Sequence, residues 1–124
     1  MDAKKKILIV DDDVELAKLI KMRLEANGYE TVIAADGVEG LEKAENEKPD
    51  LILLDIKMAK LNGYTMFHVL KHKDNTKAIP IVVLTAYKYL KSLFDFEDIQ
   101  DFIVKPFEDQ DLLLRIARAL KKRS

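Results

Sequence analysis

The sequence predicts an α/β domain in which a doubly wound, five-stranded parallel sheet carries helices on both faces. Short apolar runs that do not alternate with polar residues are typical of strands covered on both sides. Segments with helical spacing of apolar residues lie between these runs. A repeated order of strand and helix implies right-handed crossovers and one parallel sheet. A length of 124 residues fits a single domain, so we expect one domain over residues 1–124 and no output domain.

The predicted strands are short and rich in Ile, Leu and Val. Because a buried helical segment can have the same composition over so few residues, the assignment depends on the helical segments between the runs. The second run has the weakest apolar pattern. The predicted strands cover residues 7–10, 31–35, 51–54, 81–84 and 102–104.

Five segments have the pattern of helices. In the first, Leu16, Ile20 and Leu24 form an apolar stripe, and Asn27-Gly28 is a typical stop signal because Gly adopts the left-handed conformation without steric cost. The fifth has the clearest apolar spacing. The fourth has the poorest, because it is rich in aromatic residues and lacks clean caps. The predicted helices after the first cover residues 38–47, 64–73, 87–96 and 112–120.

Composition and charge exclude several classes of protein. With 48% hydrophobic and 35% charged residues, the chain is neither a disordered polyelectrolyte nor a membrane protein. Its 21 Lys and Arg residues against 22 Asp and Glu residues leave a formal charge of -1, which gives no general attraction to nucleic acid or to an anionic membrane. The absence of Cys excludes disulfides and thiolate chemistry. We therefore expect a cytoplasmic protein with no nucleic-acid partner and no membrane association.

Polar residues follow the predicted strands at the points where the apolar runs end. Because the carboxyl ends of parallel strands meet at one edge of the sheet, these side chains should converge there. Crowded carboxylates either take up protons or hold a cation, and Asp oxygens favour Mg²⁺, or Mn²⁺, over zinc. The residues are Asp11, Asp12 and Asp13 after the first run, Asp55 after the third, Thr85 after the fourth and Lys105 after the fifth.

A cluster of this kind is suited to a phosphoryl group. A metal ion and an ammonium group neutralise phosphoryl oxygens, and a hydroxyl group donates a hydrogen bond to one of them. An Asp side chain can itself be the nucleophile and form an aspartyl phosphate. The strand ends therefore predict metal-assisted phosphoryl transfer to an Asp.

Four segments, in this order, resemble the receiver domains of bacterial response regulators, the CheY-like family. They are ILIVDDD, LILLDIKM, PIVVLTAY and FIVKPF, and the similarity covers essentially the whole chain. The resemblance implies the strand order 2-1-3-4-5. It also implies a stand-alone response regulator of a two-component system or phosphorelay, which is a phosphoacceptor signalling domain and not an enzyme, because it catalyses only its own phosphorylation and dephosphorylation. Its partners would be a sensor histidine kinase or histidine phosphotransfer protein and a downstream target protein.

The resemblance assigns metal and acceptor roles to residues that match the family's motifs. Asp55 would accept the phosphoryl group from a phosphohistidine. Asp12 and Asp55 would bind Mg²⁺ directly, and Asp11 would orient metal-bound water. The backbone carbonyl of Lys57 would complete the protein ligands.

A second set of residues would bind the phosphoryl group itself. The hydroxyl of Thr85, the amide of Ala86 and Lys57 would contact its oxygens. Lys105, joined to Pro106 by a cis peptide as in the family, would pair with them. These roles are implied by the resemblance alone.

The family also implies a switch and a means of setting its lifetime. Phe102 occupies the position of the switch aromatic and would turn inward as Thr85 moves toward the phosphate. This would alter the face formed by the fourth helix, fifth strand and fifth helix, through which family members form homodimers or bind targets. The side chains of Lys57 and Tyr87 would overhang the path of attacking water, and because both are large we expect a long-lived phosphoryl group.

The sequence departs from the family pattern in two places. Met58-Ala59 stands where the family usually has Met-Pro before the matching Gly63, and loss of that restraint should cost about 0.4 to 1 kcal/mol of loop stability. The segment between Thr85 and Lys105 is shorter than usual and lacks Gly-Ala before the fifth strand. We therefore expect a fourth helix that is short, shifted or partly irregular.

The same residues also fit two different functions and several simpler structural roles. A pseudo-receiver would be an interaction module without phosphorylation. A Mg²⁺-dependent phosphohydrolase of the haloacid dehalogenase type also forms an aspartyl phosphate, but places an acid where this chain has Lys57. Asp13 is more simply a helix cap, Phe102 can be a core residue, and His68 and His72 are more simply exposed polar residues than a metal clamp.

Overall fold

The computed structural model describes residues 4–56, 62–94 and 99–123. One five-stranded sheet has the order β2-β1-β3-β4-β5, with all neighbouring strands parallel. This confirms the predicted fold class and strand order. The strands are β1 Lys6–Val10, β2 Glu30–Ala34, β3 Leu51–Asp55, β4 Ile81–Thr85 and β5 Asp101–Val104. The helices are α1 Val14–Ala26, α2 Gly37–Glu47, α3 Gly63–His72 and α4 Asp109–Arg123, with a 3₁₀ helix at Lys88–Phe94.

Both faces of the sheet are covered. In β1, Leu8 and Val10 belong to one core with residues of α2 and α3, whereas Ile7 and Ile9 belong to a second core with residues of α1 and α4. Successive strand residues face opposite sides of a sheet. A strand buried on both sides therefore needs an apolar residue at every position, which is why the apolar runs of the sequence do not alternate.

The helix ends follow local capping chemistry. Asp13 Oδ1 accepts a hydrogen bond from the backbone N–H of Leu16 at 3.1 Å and caps α1, while Asn62 caps α3 in the same way. The C-cap of α1 is Asn27, and Gly28 after it has a φ of 90°. Gly adopts this left-handed conformation without steric penalty, so the predicted stop of the first helix is confirmed.

The predicted fourth helix is of a different type. The α-helical type predicted for residues 87–96 was wrong, because Lys88–Phe94 is a 3₁₀ helix, and the last two predicted residues lie outside the described ranges. The expectation of a short or irregular fourth helix is confirmed for the described residues. The ring of Phe94 is buried and contacts Phe67 at 5.4 Å and Phe102 at 6.2 Å between centroids. Leu90 is partly buried against the same core. Among the side chains described in this segment, Leu90 and Phe94 pack on the core, and such a pair does not form the long apolar stripe that an α-helix buries.

The strand order creates one crevice at the carboxyl edge of the sheet. The chain places β2 on one side of β1 and β3 on the other, so the winding reverses between β1 and β3. In doubly wound sheets, ligands bind outside the carboxyl ends of the strands at such a reversal. The residues that end β1 and β3 are therefore placed where a ligand is expected.

Candidate functional site

Four strands bring polar side chains to the same edge of the sheet. Asp11 follows β1, Asp55 and Thr85 are the last residues of β3 and β4, and Lys105 follows β5. The parallel pairing of these strands keeps their ends level. The strands β3 and β4 are each one residue longer than predicted, so Asp55 and Thr85 lie within strands and not after them. Their backbones are fixed by the sheet.

Three carboxylates form the centre of the site. Asp11, Asp12 and Asp55 each have an oxygen within 4.8 Å of an oxygen of the other two. Asp11 is 1% exposed and Asp55 is 6% exposed, whereas Asp12 is exposed to solvent. Within the ranges that the structure describes, no other three acidic or histidine side chains converge in this way. A set of carboxylate oxygens, open to water on one side, fits Mg²⁺ or Mn²⁺.

Lys105 lies against two of these carboxylates. Its Nζ is 3.0 Å from Asp11 Oδ2 and 3.6 Å from Asp55 Oδ2. Carboxylates that share a small, partly dehydrated space repel each other strongly. The ammonium group offsets that repulsion and supplies a positive charge for an anion at the site.

Local hydrogen bonds hold Asp11 in place. The backbone N–H of Asp11 donates to the carbonyl of Ala34 at 3.1 Å, which continues the pairing of β1 with β2. The backbone N–H of Asp13 donates to Asp11 Oδ1 at 2.9 Å. Asp13 therefore caps α1 and also holds the Asp11 carboxylate. This agrees with its interpretation as a cap.

Thr85 and Lys105 are joined through the backbone. The backbone N–H of Lys105 donates to the carbonyl of Thr85 at 2.7 Å, and the Lys105–Pro106 peptide is cis, as predicted. The Thr85 side chain is buried, and its Oγ1 accepts a hydrogen bond from the backbone N–H of Tyr87 at 3.2 Å. The hydroxyl oxygen is thus engaged by the chain that follows it.

The remaining predicted residues surround this edge or lie away from it. Ala86 is exposed next to Thr85 and lines a cavity of about 400 Å³ together with Lys105. Tyr87 is 38% exposed, and its ring meets that of Tyr89 edge-on at 5.8 Å. Lys57, Met58 and Ala59 lie outside the described residues.

Phe102 is a core residue in this structure. It is 9% exposed and packs with Phe94, so its ring already lies inward. His68 is partly buried and His72 exposed, with their rings stacked 6.3 Å apart. The Nδ1 of His72 lies 2.7 Å from the carbonyl oxygen of His68.

Sequence reasoning missed the importance of Gly63 beyond its match to the family. Its backbone N–H donates to the carbonyl of Ile56 at 2.8 Å, directly after Asp55. The sequence shows only that a Gly stands near the start of the predicted third helix, eight residues after Asp55. That signal does not reveal which backbone atoms the Gly contacts.

Known proteins resemble this chain over almost its whole length. Residues 7–117 match the response regulator receiver domain, and the chain belongs to that family. A response regulator receiver domain protein (CheY-like) from Methanospirillum hungatei JF-1 has a TM-score of 0.89 and 35% identity, over 97% of this chain and 96% of that one. The receiver domain of sensor histidine kinase PA1611 from Pseudomonas aeruginosa PAO1 has a TM-score of 0.87 and 27% identity, over 96% and 99% of the two chains. The latter structure has a magnesium ion coordinated in its active site cleft.

Curated relatives are longer than this chain. The alkaline phosphatase synthesis transcriptional regulatory protein PhoP of Bacillus subtilis is 38% identical over 95% of this chain and 49% of its own length. The DNA-binding dual master transcriptional regulator RpaA of Synechocystis sp. is 36% identical over 96% of this chain and 50% of its own length. The chain thus spans about half the length of the curated relatives it matches.

Membership of the family carries general properties. Receiver domains are signalling domains of two-component systems and not conventional enzymes, they bind Mg²⁺ at an acidic pocket, and they interact with histidine kinases and output partners. No helix in the described ranges is both long and apolar enough to cross a membrane.

Proposed function

We propose that this chain is a phosphorylatable switch that accepts a phosphoryl group on Asp55 from the phosphohistidine of a sensor histidine kinase or a histidine phosphotransfer protein. One observation carries the proposal. The buried carboxylate of Asp55 lies with the carboxylates of Asp11 and Asp12, and Lys105 Nζ is 3.6 Å from it. A nucleophile, the ligands of a cation and an ammonium group are thereby combined in one site.

The acids are the proposed ligands of Mg²⁺ or Mn²⁺. Asp12 and Asp55 would bind the ion directly, Asp11 would orient its water molecules, and the carbonyl of Lys57 would add a further oxygen. The donor set is all oxygen, as these hard cations require. When bound, the cation neutralises charge on the phosphoryl oxygens and on the attacking carboxylate.

Transfer forms one bond and breaks another. A carboxylate oxygen of Asp55 attacks phosphorus, the phosphorus–nitrogen bond of the phosphohistidine breaks, and the electron pair returns to the ring nitrogen. The amide of Ala86, the hydroxyl of Thr85 and the ammonium of Lys105 then bind the phosphoryl oxygens. For this, Lys105 exchanges its contact with Asp11 for one with the phosphoryl group.

The proposed switch begins at Thr85. Its hydroxyl leaves the Tyr87 N–H when it turns to the phosphoryl group, so the chain after β4 is released. The packing of Phe102 against Phe94 then changes, and with it the shape of the face formed by Lys88–Phe94, β5 and α4. This face would bind a downstream target or a second copy of the chain. Lys57 and Tyr87 would shield the aspartyl phosphate from water, and its loss within seconds would contradict that part of the proposal.

The relatives restrict what is proposed about output. They are named as transcriptional regulators, and one is named as DNA-binding, so the prediction that nucleic acid is not a partner is not supported. A stand-alone regulator and a cytoplasmic location stay predictions.

Acetyl phosphate and Mg²⁺ test the proposal directly. We expect the intact mass of the chain to rise by one phosphoryl group, and Asp55→Asn to abolish the increase. Asp74→Asn is the matched control, because the side chain of Asp74 is 98% exposed, and it should be modified like the wild type. Equal modification of Asp55→Asn would contradict the assignment of the acceptor.

The same incubation, with a phosphoester added, separates the other two functions. Continuous turnover of a phosphoester would support the haloacid dehalogenase type of phosphohydrolase. No modification in the presence of Mg²⁺ would support a pseudo-receiver that acts only by binding.

A further inference from the structure

The start of α3 lies in direct contact with the strand that carries Asp55. The backbone N–H of Gly63 donates to the carbonyl of Ile56 at 2.8 Å. A Cβ atom at Gly63 would lie 2.3 Å from the backbone oxygen of Asp55 and 2.5 Å from Ile56 Cα, and real Cβ atoms essentially never approach another atom within 3.0 Å. Both are main-chain atoms, so no change of rotamer relieves the clash.

Gly40 in α2 is a matched comparison. A Cβ atom there would lie 2.8 Å from Met66 Cε and 3.1 Å from Val10 Cγ1. These are side-chain atoms, and the end of a Met side chain moves easily. A methyl group at Gly40 can therefore be accommodated by repacking. At Gly63, the end of β3 or the start of α3 has to shift instead.

We propose that Gly63 is a positioning residue for Asp55, an inference that rests on the proposed function. Its lack of a side chain lets α3 start against the backbone of the acceptor and keeps the Asp55 carboxylate within reach of Asp11 and Asp12. Mg²⁺ demands near-ideal octahedral geometry at short distances. A displacement of the Asp55 backbone by part of an ångström is therefore enough to weaken the cation site.

Gly63→Ala and Gly40→Ala, compared with the wild type by calorimetric titration with Mg²⁺, test the inference. Ala is a better helix former than Gly, so intrinsic helix propensity changes in the same direction in both variants. We expect Gly63→Ala to lower the affinity for Mg²⁺ about 10- to 100-fold, the range found when groups that orient metal ligands are lost. Gly40→Ala should keep the affinity of the wild type.

Two results would overturn the inference while leaving the proposed function in place. One is a folded Gly63→Ala variant that binds Mg²⁺ as tightly as the wild type, and the other is an equal loss of affinity in both variants. Absence of Mg²⁺ binding by the wild type would overturn the proposed function and the inference with it.

A measurement on the wild type covers the case in which Gly63→Ala does not fold. The N–H of Gly63 bonds to Ile56, whereas the N–H of Gly40 bonds to the carbonyl of Asp36 at 2.9 Å within α2. Mg²⁺ should slow hydrogen exchange of the Gly63 amide more than that of the Gly40 amide, because it favours the closed contact between β3 and α3. Equal slowing would show an effect on global stability alone and would overturn the inference.

Discussion

At the scale of single residues, Lys105 places a positive charge against the acidic cluster. Its ammonium contacts the carboxylates of Asp11 and Asp55 at 3.0 Å and 3.6 Å, and both acids are almost completely buried. A buried charge that loses its partner keeps its dehydration penalty. In the metal-free protein, this ammonium therefore contributes to stability as well as to the site.

Replacement of Lys105 by Met should destabilise the metal-free protein by about 1 to 3 kcal/mol, because two buried carboxylates are left facing each other. Urea unfolding measures the loss. Excess Mg²⁺ should reduce it, since the cation supplies the missing positive charge. Lys77→Met is the control, because Lys77 and its partner Asp74 are exposed and the change should stay within about 0.5 kcal/mol. A loss that is the same with and without Mg²⁺ would contradict this role of Lys105.

Tyr29 should make stability depend on pH in the alkaline range. Burial against the core of α1 and α4 raises the pKa of Tyr29 above its ordinary value of 10.0. Above that pH the unfolded state loses the phenolic proton while the folded state keeps it, so the free energy of unfolding falls as pH rises. As the pH rises through the ordinary pKa of tyrosine, Tyr29→Phe should lose less stability than the wild type. An identical decrease in both proteins would rule out this contribution.

The strand-end residues of the site could be predicted from the sequence. Asp11, Asp55 and Lys105 stand where an apolar run changes abruptly to polar residues, and parallel strands bring such ends together. The contact of Gly63 with the backbone of Asp55 could not be predicted. A Gly at a helix start is compatible with many packing arrangements, and only the relative position of β3 and α3 decides between them.

At the scale of elements, the ring of Phe94 is the most deeply buried anchor described in the 3₁₀ helix Lys88–Phe94. Phe94 is 4% exposed and contacts Tyr64 and Phe67 of α3 and Phe102 of β5. The contacts with Tyr64 and Phe67 are edge-to-face and add to the gain from burial. Phe94 thus links the proposed switch residue to α3.

Phe94→Ala should lower the free energy of unfolding by about 3 to 5 kcal/mol, because it removes a buried ring and leaves a cavity. Tyr89→Ala, in the same 3₁₀ helix but at a residue 66% exposed, should change stability by less than about 0.5 kcal/mol. Denaturant unfolding of both variants provides the test. Similar small losses in the two would mean that Phe94 does not anchor the segment.

A second contact joins β5 to α4 on the proposed output face. Arg115 lies 2.7 Å from Asp101 Oδ1 and 3.0 Å from Asp111 Oδ2. The hydrogen bond with Asp111, together with the charge of Asp101, raises the pKa of Arg115 above its usual value. The guanidinium is therefore engaged within the chain, and a partner at this face has to compete with both acids for it.

Helices with a regular apolar stripe and a clear stop residue were predicted well. The segment 87–96, which lacks both, was not. The apolar stripe and the Asn27-Gly28 stop define α1 from nearby residues alone. The 3₁₀ helix is determined by rings of α3 and β5 that are distant in sequence, so its type could not be inferred from residues 87–96. Tertiary packing decided it.

For the whole molecule, cation binding and stability should be linked. A ligand that binds only the folded state raises the free energy of unfolding, by about 2.7 kcal/mol at a concentration one hundred times its Kd. Mg²⁺ should therefore stabilise the wild type and Asp74→Asn alike, and stabilise Asp12→Asn much less. Thermal unfolding with Mg²⁺ and with a chelator measures this. Equal stabilisation of all three proteins would place the cation outside the acidic cluster.

The central claim is that the carboxylates of Asp11, Asp12 and Asp55 and the ammonium of Lys105 act together around one cation and one phosphoryl group. A crystal structure of the chain with Mg²⁺ and beryllofluoride tests it most directly. We predict beryllofluoride bound to a carboxylate oxygen of Asp55, next to Mg²⁺ coordinated by Asp12 and Asp55, with Thr85 and Lys105 in contact with the fluorides. A cation bound elsewhere, or a beryllofluoride that leaves Asp55 unmodified, would contradict the claim.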